Sequence, residues 1–308
     1  MTSTAGPSDR RSVAFPGGAA LVGDDGAWVL ADADPARALG PALAVARKAG
    51  ATGTVNLVVE DAGGLLARRA SQFAQPPVVW LVAGTSLERV EAEPLPVIPP
   101  VDPRVAAFAD VLLGAGADPV VEHGRLIGEV DGLEVARVVV DADGPHLEIG
   151  VGRFDREAHA LVSSDRPTAE ALADVVAFVR KHRVRGGENH PLQGLAADRW
   201  LRSRLLHEPA LVGADHLAPL APVVEAPDLR TPWPAPATGI DIEGRPVVVV
   251  ASVGVDLDLV PAAADARLAA FPDGGARLVL AVAERDAHAV TRALAAALAA
   301  PADIVTVD

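Results

Sequence analysis

Residues 27–37, Ala-Trp-Val-Leu-Ala-Asp-Ala-Asp-Pro-Ala-Arg, contain the turn from a strand into a helix that decides the fold. The first four residues are apolar and predict a short strand. Asp34 precedes Pro35, and this pair predicts a helix start with aspartate as the N-cap and proline in the first turn. The helix is predicted to continue to Lys48, because Gly50 suits a C-terminal cap.

The same alternation of strands and helices extends outward from this turn. A strand is predicted over 55–59, a helix over 65–73 and a strand over 78–82. This βαβαβ order favours a parallel sheet with right-handed crossovers. The C-terminal part of the chain repeats the order, with strands predicted at 246–259, 278–282 and 304–307 and helices at 262–271 and 290–298.

The two terminal segments align with each other. A shift of 224 positions places Glu60 on Glu284 without a gap over their second halves. The same shift pairs Asp32 with Asp256 and Asp34 with Asp258. Alanine-rich helices also match by chance, so a true duplication stays open. Since neither half is large enough to cover both faces of its own sheet, we predict that the terminal segments pack together. One continuous sheet is a form that this packing could take.

Two proline-rich stretches divide the chain. Proline fixes φ and removes an amide donor, so neither stretch belongs inside a helix or a central strand. We therefore predict an α/β protein with two similar terminal segments and a central α+β segment. The predicted parts are a flexible tail over 1–12, an N-terminal α/β segment over 13–92, a connector over 93–103, a central segment over 104–217, a connector over 218–240 and a C-terminal α/β segment over 241–308.

The central segment is predicted to be a helix, a three-stranded meander and further helices. Asp102-Pro103 is a second helix start, and Asp131-Gly132 is a strong two-residue hairpin signal between two strands. Helix, meander and helices in this order are typical of an α+β arrangement. The strands are predicted at 126–130, 133–140 and 147–154, and the helices at 103–113, 167–182 and 191–206.

The meander also carries an acidic pattern. Gly128-Glu129-Val130-Asp131 and Leu147-Glu148-Ile149-Gly150 are separated by a hairpin. Over about residues 103–155 this resembles the core of the PD-(D/E)xK nuclease superfamily. In that superfamily an acidic residue and a Glu-x-Lys on neighbouring strands bind a divalent metal ion and activate water.

The resemblance implies that Asp131 and Glu148 are catalytic and bind Mg²⁺, with Glu122 or Glu134 as a third ligand. Gly150 stands in the lysine position, so the cation expected to position the attacking water is missing. The resemblance therefore implies either a degenerate, inactive core or, as the alternative, a Mg²⁺-dependent nuclease or phosphoester hydrolase. The residues alone also explain Asp131 as part of a type I′ turn and Glu148 as a solvent-facing strand residue.

A second acidic set follows the strands of both terminal segments: Asp32, Asp34 and Glu60, and again Asp256, Asp258 and Glu284. In the C-terminal segment the pattern is clearest. Apolar residues alternate with Asp256 and Asp258, which predicts that both aspartates share one strand face. Ligands of parallel sheets bind beyond the carboxyl ends of the strands, where these residues and Glu284 are expected. The set is consistent with a divalent ion or a small hydroxyl-bearing ligand. The alternative explanation is helix capping and solvation of strand ends.

Arginines concentrate in two neighbouring clusters over residues 180–204. Arg180 and Arg183 close one predicted helix, and Arg199 and Arg202 lie on the next. Together they could form a basic groove for a nucleic acid or an acidic protein partner. The alternative is that cations at a helix C-terminus are favoured by the helix dipole.

Composition restricts the classes of function and the cellular locations that remain. The formal net charge of −14 repels nucleic acid and anionic membranes on average, and the absence of cysteine excludes disulfides and thiolate catalysis. No signal peptide is recognisable, and the longest apolar run, 247–255, is far shorter than the about 20 residues that span a bilayer. We expect a cytoplasmic protein without a membrane partner.

The sequence does not by itself determine a function. No phosphate loop or nucleophile elbow is present, so no cofactor is evident, and Mg²⁺ enters only with the acidic sites above. The leading hypothesis is a non-catalytic intracellular binding or regulatory protein with a degenerate nuclease-like central core. The rivals are the Mg²⁺-dependent hydrolase and a protein that binds a small ligand or divalent ion at the strand-end acids.

Overall fold

The computed structural model describes residues 10–152, 155–157, 168–188 and 190–308. Three sequence-based expectations fall partly outside these ranges: the first nine residues of the tail, the end of the strand predicted to reach residue 154, and the helix start at residue 167. The chain divides into two compact units. Unit 1 comprises residues 1–95 and 255–306 with residue 308, and unit 2 comprises residues 96–254 with residue 307.

The mixed α/β fold class predicted from the sequence is confirmed. The strands are β1 (Arg11–Phe15), β2 (Gly18–Gly23), β3 (Gly26–Ala31), β4 (Thr54–Val59), β5 (Val78–Ala83), β6 (Ser86–Arg89), β7 (Asp118–Glu122), β8 (Arg125–Val130), β9 (Leu133–Asp141), β10 (Gly144–Ile149), β11 (Ala214–Pro219), β12 (Ala235–Asp241), β13 (Pro246–Ser252), β14 (Arg277–Val282) and β15 (Asp303–Thr306). The α-helices with described bounds are α1 (Leu39–Lys48), α2 (Gly63–Ala70), α3 (Ala107–Ala115), α4 (Thr168–His182), α5 (Ala197–His207), α6 (Leu259–Ala270) and α7 (Ala289–Ala296). Within the described ranges, none of the helices combines the length and apolarity needed to cross a lipid bilayer.

Unit 1 is built around a six-stranded sheet whose strands lie in chain order, β1 to β6. The strands β1, β2 and β3 form an antiparallel meander, and β3, β4 and β5 are parallel as the sequence predicts. The edge strand β6 returns antiparallel to β5. In the C-terminal part of unit 1, β14 and β15 form a second parallel pair. The parallel crossovers place α1 and α2 against the sheet.

The terminal segments pack together through their helices, which confirms the predicted association. Helix α6 packs against α1 and α2, and α7 packs against α1. Next to these helices, Phe73 and Leu298 form an antiparallel bridge. The Ala74 amide donates to the Ala297 carbonyl at 3.0 Å, and the Ala299 amide donates to the Gln72 carbonyl at 2.9 Å. The suggested continuous sheet is wrong, because β14 and β15 are not strands of the six-stranded sheet.

The predicted strand over 246–259 is too long. Strand β13 ends at Ser252, and α6 begins at Leu259. Asp256 accounts for the difference, because its carboxylate accepts a 2.9 Å hydrogen bond from the amide of Asp258. Such a local side-chain bond offers the backbone an alternative to the strand. Asp256 and Asp258 therefore lie in a loop before α6 and not on one strand face.

Unit 2 contains an antiparallel sheet in the order β10-β9-β8-β7, with α3 and α4 packed against it. The predicted meander is present as β8, β9 and β10, and β7 adds one edge strand that sequence reasoning missed. The predicted type I′ turn is confirmed, since φ is 50° at Asp131 and 75° at Gly132. Glycine is also required there by space, because a Cβ on Gly132 would lie 2.2 Å from the Arg199 carbonyl oxygen.

The C-terminal half of unit 2 contains a second antiparallel meander with one helix packed against it. Strands β11, β12 and β13 form an antiparallel meander, and α5 packs against all three. Residues 247–251 are fully buried, an uninterrupted apolar run typical of a strand that is covered on both faces.

Candidate functional site

A cavity of about 390 Å³ lies in unit 1 at the end of β3. Its walls come from the β1–β2 turn, the loop from β3 into α1, the first turn of α1 and the loop before α6. This volume falls within the range of small-molecule sites, about 300–1,000 Å³. Most of the lining side chains are apolar or small, and four are charged. The charged residues are Asp34, Arg37, Asp256 and Asp258.

Asp256 and Asp258, which the sequence singles out, are both in this cavity. The Nη2 atom of Arg37 forms an ion pair with Asp256 Oδ2 at 2.6 Å. Asp258 Oδ2 accepts a 2.7 Å hydrogen bond from Nη1 of Arg69. The other oxygen, Asp258 Oδ1, is buried and has no hydrogen-bond partner among the described residues. A buried acceptor without a donor costs free energy, so this oxygen is available to a ligand donor.

A chain of buried ion pairs continues behind the cavity. Arg69 also contacts Asp265 Oδ2 at 3.3 Å, and Arg68 meets both oxygens of Asp265 at 2.8 and 3.1 Å. Three aspartates and three arginines thus alternate from the cavity into the space between the helices, in the order Asp256, Arg37, Asp258, Arg69, Asp265 and Arg68. The formal charges of these six residues cancel, and Glu93, which pairs with Arg68 at 3.0 Å, adds one negative charge at the far end.

Burial dominates the electrostatics of Asp258. Loss of hydration raises its pKa to about 7, although the nearby Arg69 acts in the opposite direction. The charge of Asp256 raises the same pKa further. The carboxyl group therefore changes its charge near neutral pH, and a cationic ligand would favour its ionised form.

Asp34 lies at the open side of the cavity, and its predicted role as an N-cap is wrong. Its φ of 45° is left-handed, and its side chain accepts no capping hydrogen bond. The helical turn that follows is a short 3-10 turn over Pro35–Arg37, and α1 begins only at Leu39. The Asp34 carboxylate adds a further negative charge to the lining of the cavity.

The other predicted acids are not part of this cavity. Glu284 is exposed at the start of a 3-10 turn after β14, and Glu60 is exposed after β4. The positioning residues were missed instead. Arg69 and Asp265 lie in helices whose sequences look like those of ordinary alanine-rich or amphipathic helices. Their role becomes visible only in the structure, where both side chains are buried.

Gly40 sets the distance between α1 and the acidic loop. A Cβ at this position would lie 1.8 Å from the carbonyl oxygen of Leu257. The helix can approach the loop only because this residue has no side chain. In the sequence, a single glycine near a helix start does not indicate that another segment of the chain lies this close.

In unit 2, the structure does not bring together the two residues that the nuclease resemblance implies. Asp131 is in the β8–β9 turn, and its carbonyl oxygen accepts a 3.0 Å hydrogen bond from Arg183. Glu148 pairs with Arg137, which is four residues beyond Leu133 at the end of that turn. Four strand residues span about 13 Å, so this length of strand separates Glu148 from the turn that contains Asp131. Because strand side chains stand perpendicular to the sheet, they do not close this separation.

Three of the four arginines predicted to form a basic groove are committed to internal partners, so the predicted groove is not formed by them. Arg183 is buried and donates to the carbonyls of Leu192 and Leu195 at 2.6 and 2.7 Å. Burial lowers its pKa to about 10. Its guanidinium also lies 4.6 Å from the ring centroid of Trp200. Only Arg180 is exposed, and it donates to the Gly116 carbonyl.

Arg199 and Arg202 form a buried quartet with Glu122 and Glu129. Arg202 Nη1 lies 2.8 Å from Glu122 Oε1, and its Nη2 lies 2.9 Å from both oxygens of Glu129. Arg199 contacts both glutamates as well. Burial alone would raise the pKa of Glu122, but the two guanidinium charges outweigh it and lower the pKa. Glu122, a possible third metal ligand by the resemblance, is therefore already paired.

Comparison of the chain with protein-family models, with curated proteins and with solved structures finds no match.

Proposed function

We propose that this chain is a non-catalytic binding protein, and that the cavity in unit 1 holds a small organic molecule with a primary ammonium group. The observation that carries the proposal is the buried Oδ1 of Asp258, a residue that lines the cavity, because this oxygen has no hydrogen-bond donor among the described residues. An ionised carboxylate in such a place gains most from a donor that also carries positive charge.

The number of acceptors supports an ammonium group. An ammonium has three N–H donors. The cavity is lined by the carboxylates of three residues, Asp34, Asp256 and Asp258, and two guanidinium groups, Arg37 and Arg69, contact these acids. The formal charge of this set is −1, which a monocation balances. Phe15 and Pro41 provide apolar wall for a short carbon chain.

A divalent ion is less well supported at the same acids. Mg²⁺ and Ca²⁺ take six or more oxygen ligands in most sites. Here Arg37 lies 2.6 Å from Asp256 and Arg69 lies 2.7 Å from Asp258, so two fixed cations already occupy the neighbourhood of the carboxylates. A dication would be repelled by both.

A non-catalytic central core is supported by Arg156. Its Nη1 lies 3.1 Å from Glu134 Oε1, and its Nε lies 3.7 Å from Glu148 Oε2. A guanidinium thus stands between two of the carboxylates that the nuclease resemblance would assign to a metal ion. We keep the degenerate nuclease-like core as part of the proposal and rank the hydrolase behind it.

Differential scanning fluorimetry and calorimetry with matched probes test the amine site. n-Butylamine and n-butanol have similar tails and differ in the charged group, so only the amine is expected to raise the melting temperature, by a few degrees at saturation. Asp258→Asn is expected to remove this shift, because its amide cannot supply an anionic acceptor.

Asp273→Asn is the matched control, since Asp273 is an exposed aspartate of the same unit outside the cavity. It should respond to the amine as the unmodified protein does. Equal amine binding by Asp258→Asn would reject the site. A response to Mg²⁺ or Ca²⁺ without a response to the amine would replace the proposal with the divalent-ion alternative.

A further inference from the structure

A second and larger cavity, of about 620 Å³, lies entirely within unit 2. One wall is formed by β9 with Val151, Gly152 and Arg156, and another by the start of α5. The proline-rich segment over 225–233 covers it. Unlike the cavity of unit 1, it is lined by four arginines: Arg137, Arg156, Arg199 and Arg230.

Two of these arginines depend on a single carboxylate oxygen. Arg137 donates from Nε to Glu134 Oε1 at 2.7 Å, and Arg156 donates from Nη1 to the same oxygen at 3.1 Å. Glu148 is too far from Arg156 for a hydrogen bond, at 3.7 Å, and its side chain is 42% exposed. One carboxylate oxygen therefore accepts hydrogen bonds from two guanidinium groups.

Arg156 is the less satisfied of the two. Its side chain is only 9% exposed, and that one hydrogen bond to Glu134 is all it makes with the described residues. Burial lowers its pKa, and the neighbouring charge of Arg137 lowers it further. A guanidinium has five N–H donors, so four of those on Arg156 have no hydrogen-bond partner among the residues that the structure describes.

The three lining acids other than Glu134 are engaged elsewhere. Asp198 accepts the backbone amides of Trp233 and Val253 at 2.9 and 2.8 Å. Asp228 accepts the amides of Arg230 and Thr231, both at 2.7 Å, and these bonds lower its pKa. Glu225 pairs with Arg125. These three carboxylates therefore do not neutralise the positive charges of Arg137 and Arg156.

The turn held by Asp228 places a third arginine at the cavity. The two amide bonds fix the backbone over residues 228–231, and the Arg230 side chain forms no hydrogen bond or ion pair with a residue that the structure describes. Arg199 adds no free charge, because Glu122 and Glu129 bind it.

We propose that this cavity binds a small molecule through an oxyanion group, a phosphate or a carboxylate, held by Arg137 and Arg156. Guanidinium groups bind both oxyanions through paired, charge-assisted hydrogen bonds. The site is independent of the amine site proposed for unit 1, because the two cavities share no residue.

Isothermal titration calorimetry of the full chain with inorganic phosphate and, separately, with succinate tests the proposal and distinguishes the two oxyanions. Saturable binding of at least one is expected. Arg156→Gln and Arg137→Gln should each weaken it by about tenfold or more, the usual effect of losing a charged hydrogen bond. Arg104→Gln, an exposed arginine of the same unit paired with Asp102, should leave the affinity unchanged.

Glu134→Gln gives the opposite prediction and does not depend on the arginine variants being folded. It removes the carboxylate that competes for both guanidinium groups, so oxyanion binding should become tighter. Unchanged affinity in a folded Arg156→Gln protein, or weaker binding in Glu134→Gln, would overturn the site. Absence of saturable binding of either probe up to about 10 mM would do so as well.

Discussion

Arg69 donates a 2.7 Å hydrogen bond to Asp258 across 189 positions of sequence. Both side chains are buried, and the bond joins α2 of the N-terminal segment to the loop before α6 of the C-terminal segment. It therefore ties the packing of the terminal segments to the geometry of the cavity in unit 1. A change in either residue is expected to alter stability and ligand binding together.

The first prediction concerns pH. The folded-state pKa of Asp258 is about 7, above the ordinary aspartate value of 3.8. The folded protein consequently binds this proton more tightly than the unfolded chain. The contribution of Asp258 to the free energy of unfolding is complete below about pH 4 and is lost as the pH rises to about 7.

Urea unfolding between pH 4 and pH 8 measures this contribution. Asp258→Asn should flatten the decline, and Asp273→Asn should leave it as it is. The same ionisation predicts that amine affinity increases from pH 6 to pH 8, because the carboxylate form is the acceptor. A pH profile of Asp258→Asn that is identical to that of the unmodified protein would rule out Asp258 as its source.

The second prediction concerns the buried quartet of unit 2. Arg202→Met should lower the free energy of unfolding by about 3–5 kcal/mol, because it leaves two buried glutamate charges with Arg199 as their one remaining cation in the quartet. Arg202 is only 1% exposed, so solvent cannot replace the lost contact. Arg104→Met, at an exposed ion pair, should change stability by less than about 1 kcal/mol. Chemical denaturation of both variants makes the comparison, and equal losses would contradict it.

The third prediction concerns Gly40. Gly40→Ala forces a methyl group against the Leu257 carbonyl and should cost about 1–3 kcal/mol by overpacking. It should also weaken amine binding, because α1 moves away from the acidic loop. Gly114→Ala is the control, since a Cβ at Gly114 meets no atom within 4 Å and removing a helical glycine is mildly stabilising. A Gly40→Ala protein as stable as Gly114→Ala would show that the close approach does not matter.

The fourth prediction separates a turn residue from a metal ligand at position 131. Asp131→Asn should keep stability within about 0.5 kcal/mol, because asparagine also accepts a left-handed conformation. Asp131→Val should be destabilising by about 1 kcal/mol or more, since a β-branched residue at φ 50° is strained. Thermal and urea unfolding check both variants. Similar stability of the two proteins would mean that the turn conformation is not what selects aspartate.

Local patterns in the sequence predict most of the fold. The alternation of apolar strands and helices predicts β3 to β5 and the C-terminal repeat of that order. Asp102 caps the turn at Pro103 by accepting the Arg104 amide, and Asp131-Gly132 forms its predicted turn. These features depend on neighbours in the chain, which a single sequence shows directly.

The candidate sites depend on residues that are distant in sequence. Asp256 and Asp258 were recognised as a pair, but the residues that position them, such as Arg69, are identified only by tertiary contacts. Arg183 and Arg202 looked like surface cations, and their burial follows from partners 52 and 80 positions away. Periodicity cannot separate a solvated charge from a buried and paired one.

The discontinuity of unit 1 has a consequence for biosynthesis. Its first half ends at residue 95, and its second half begins at residue 255, with unit 2 inserted between them. During translation, α1 and α2 therefore emerge long before α6 exists to cover them. Unit 2 has the opportunity to fold on the ribosome while the first half of unit 1 still exposes apolar surface to chaperones.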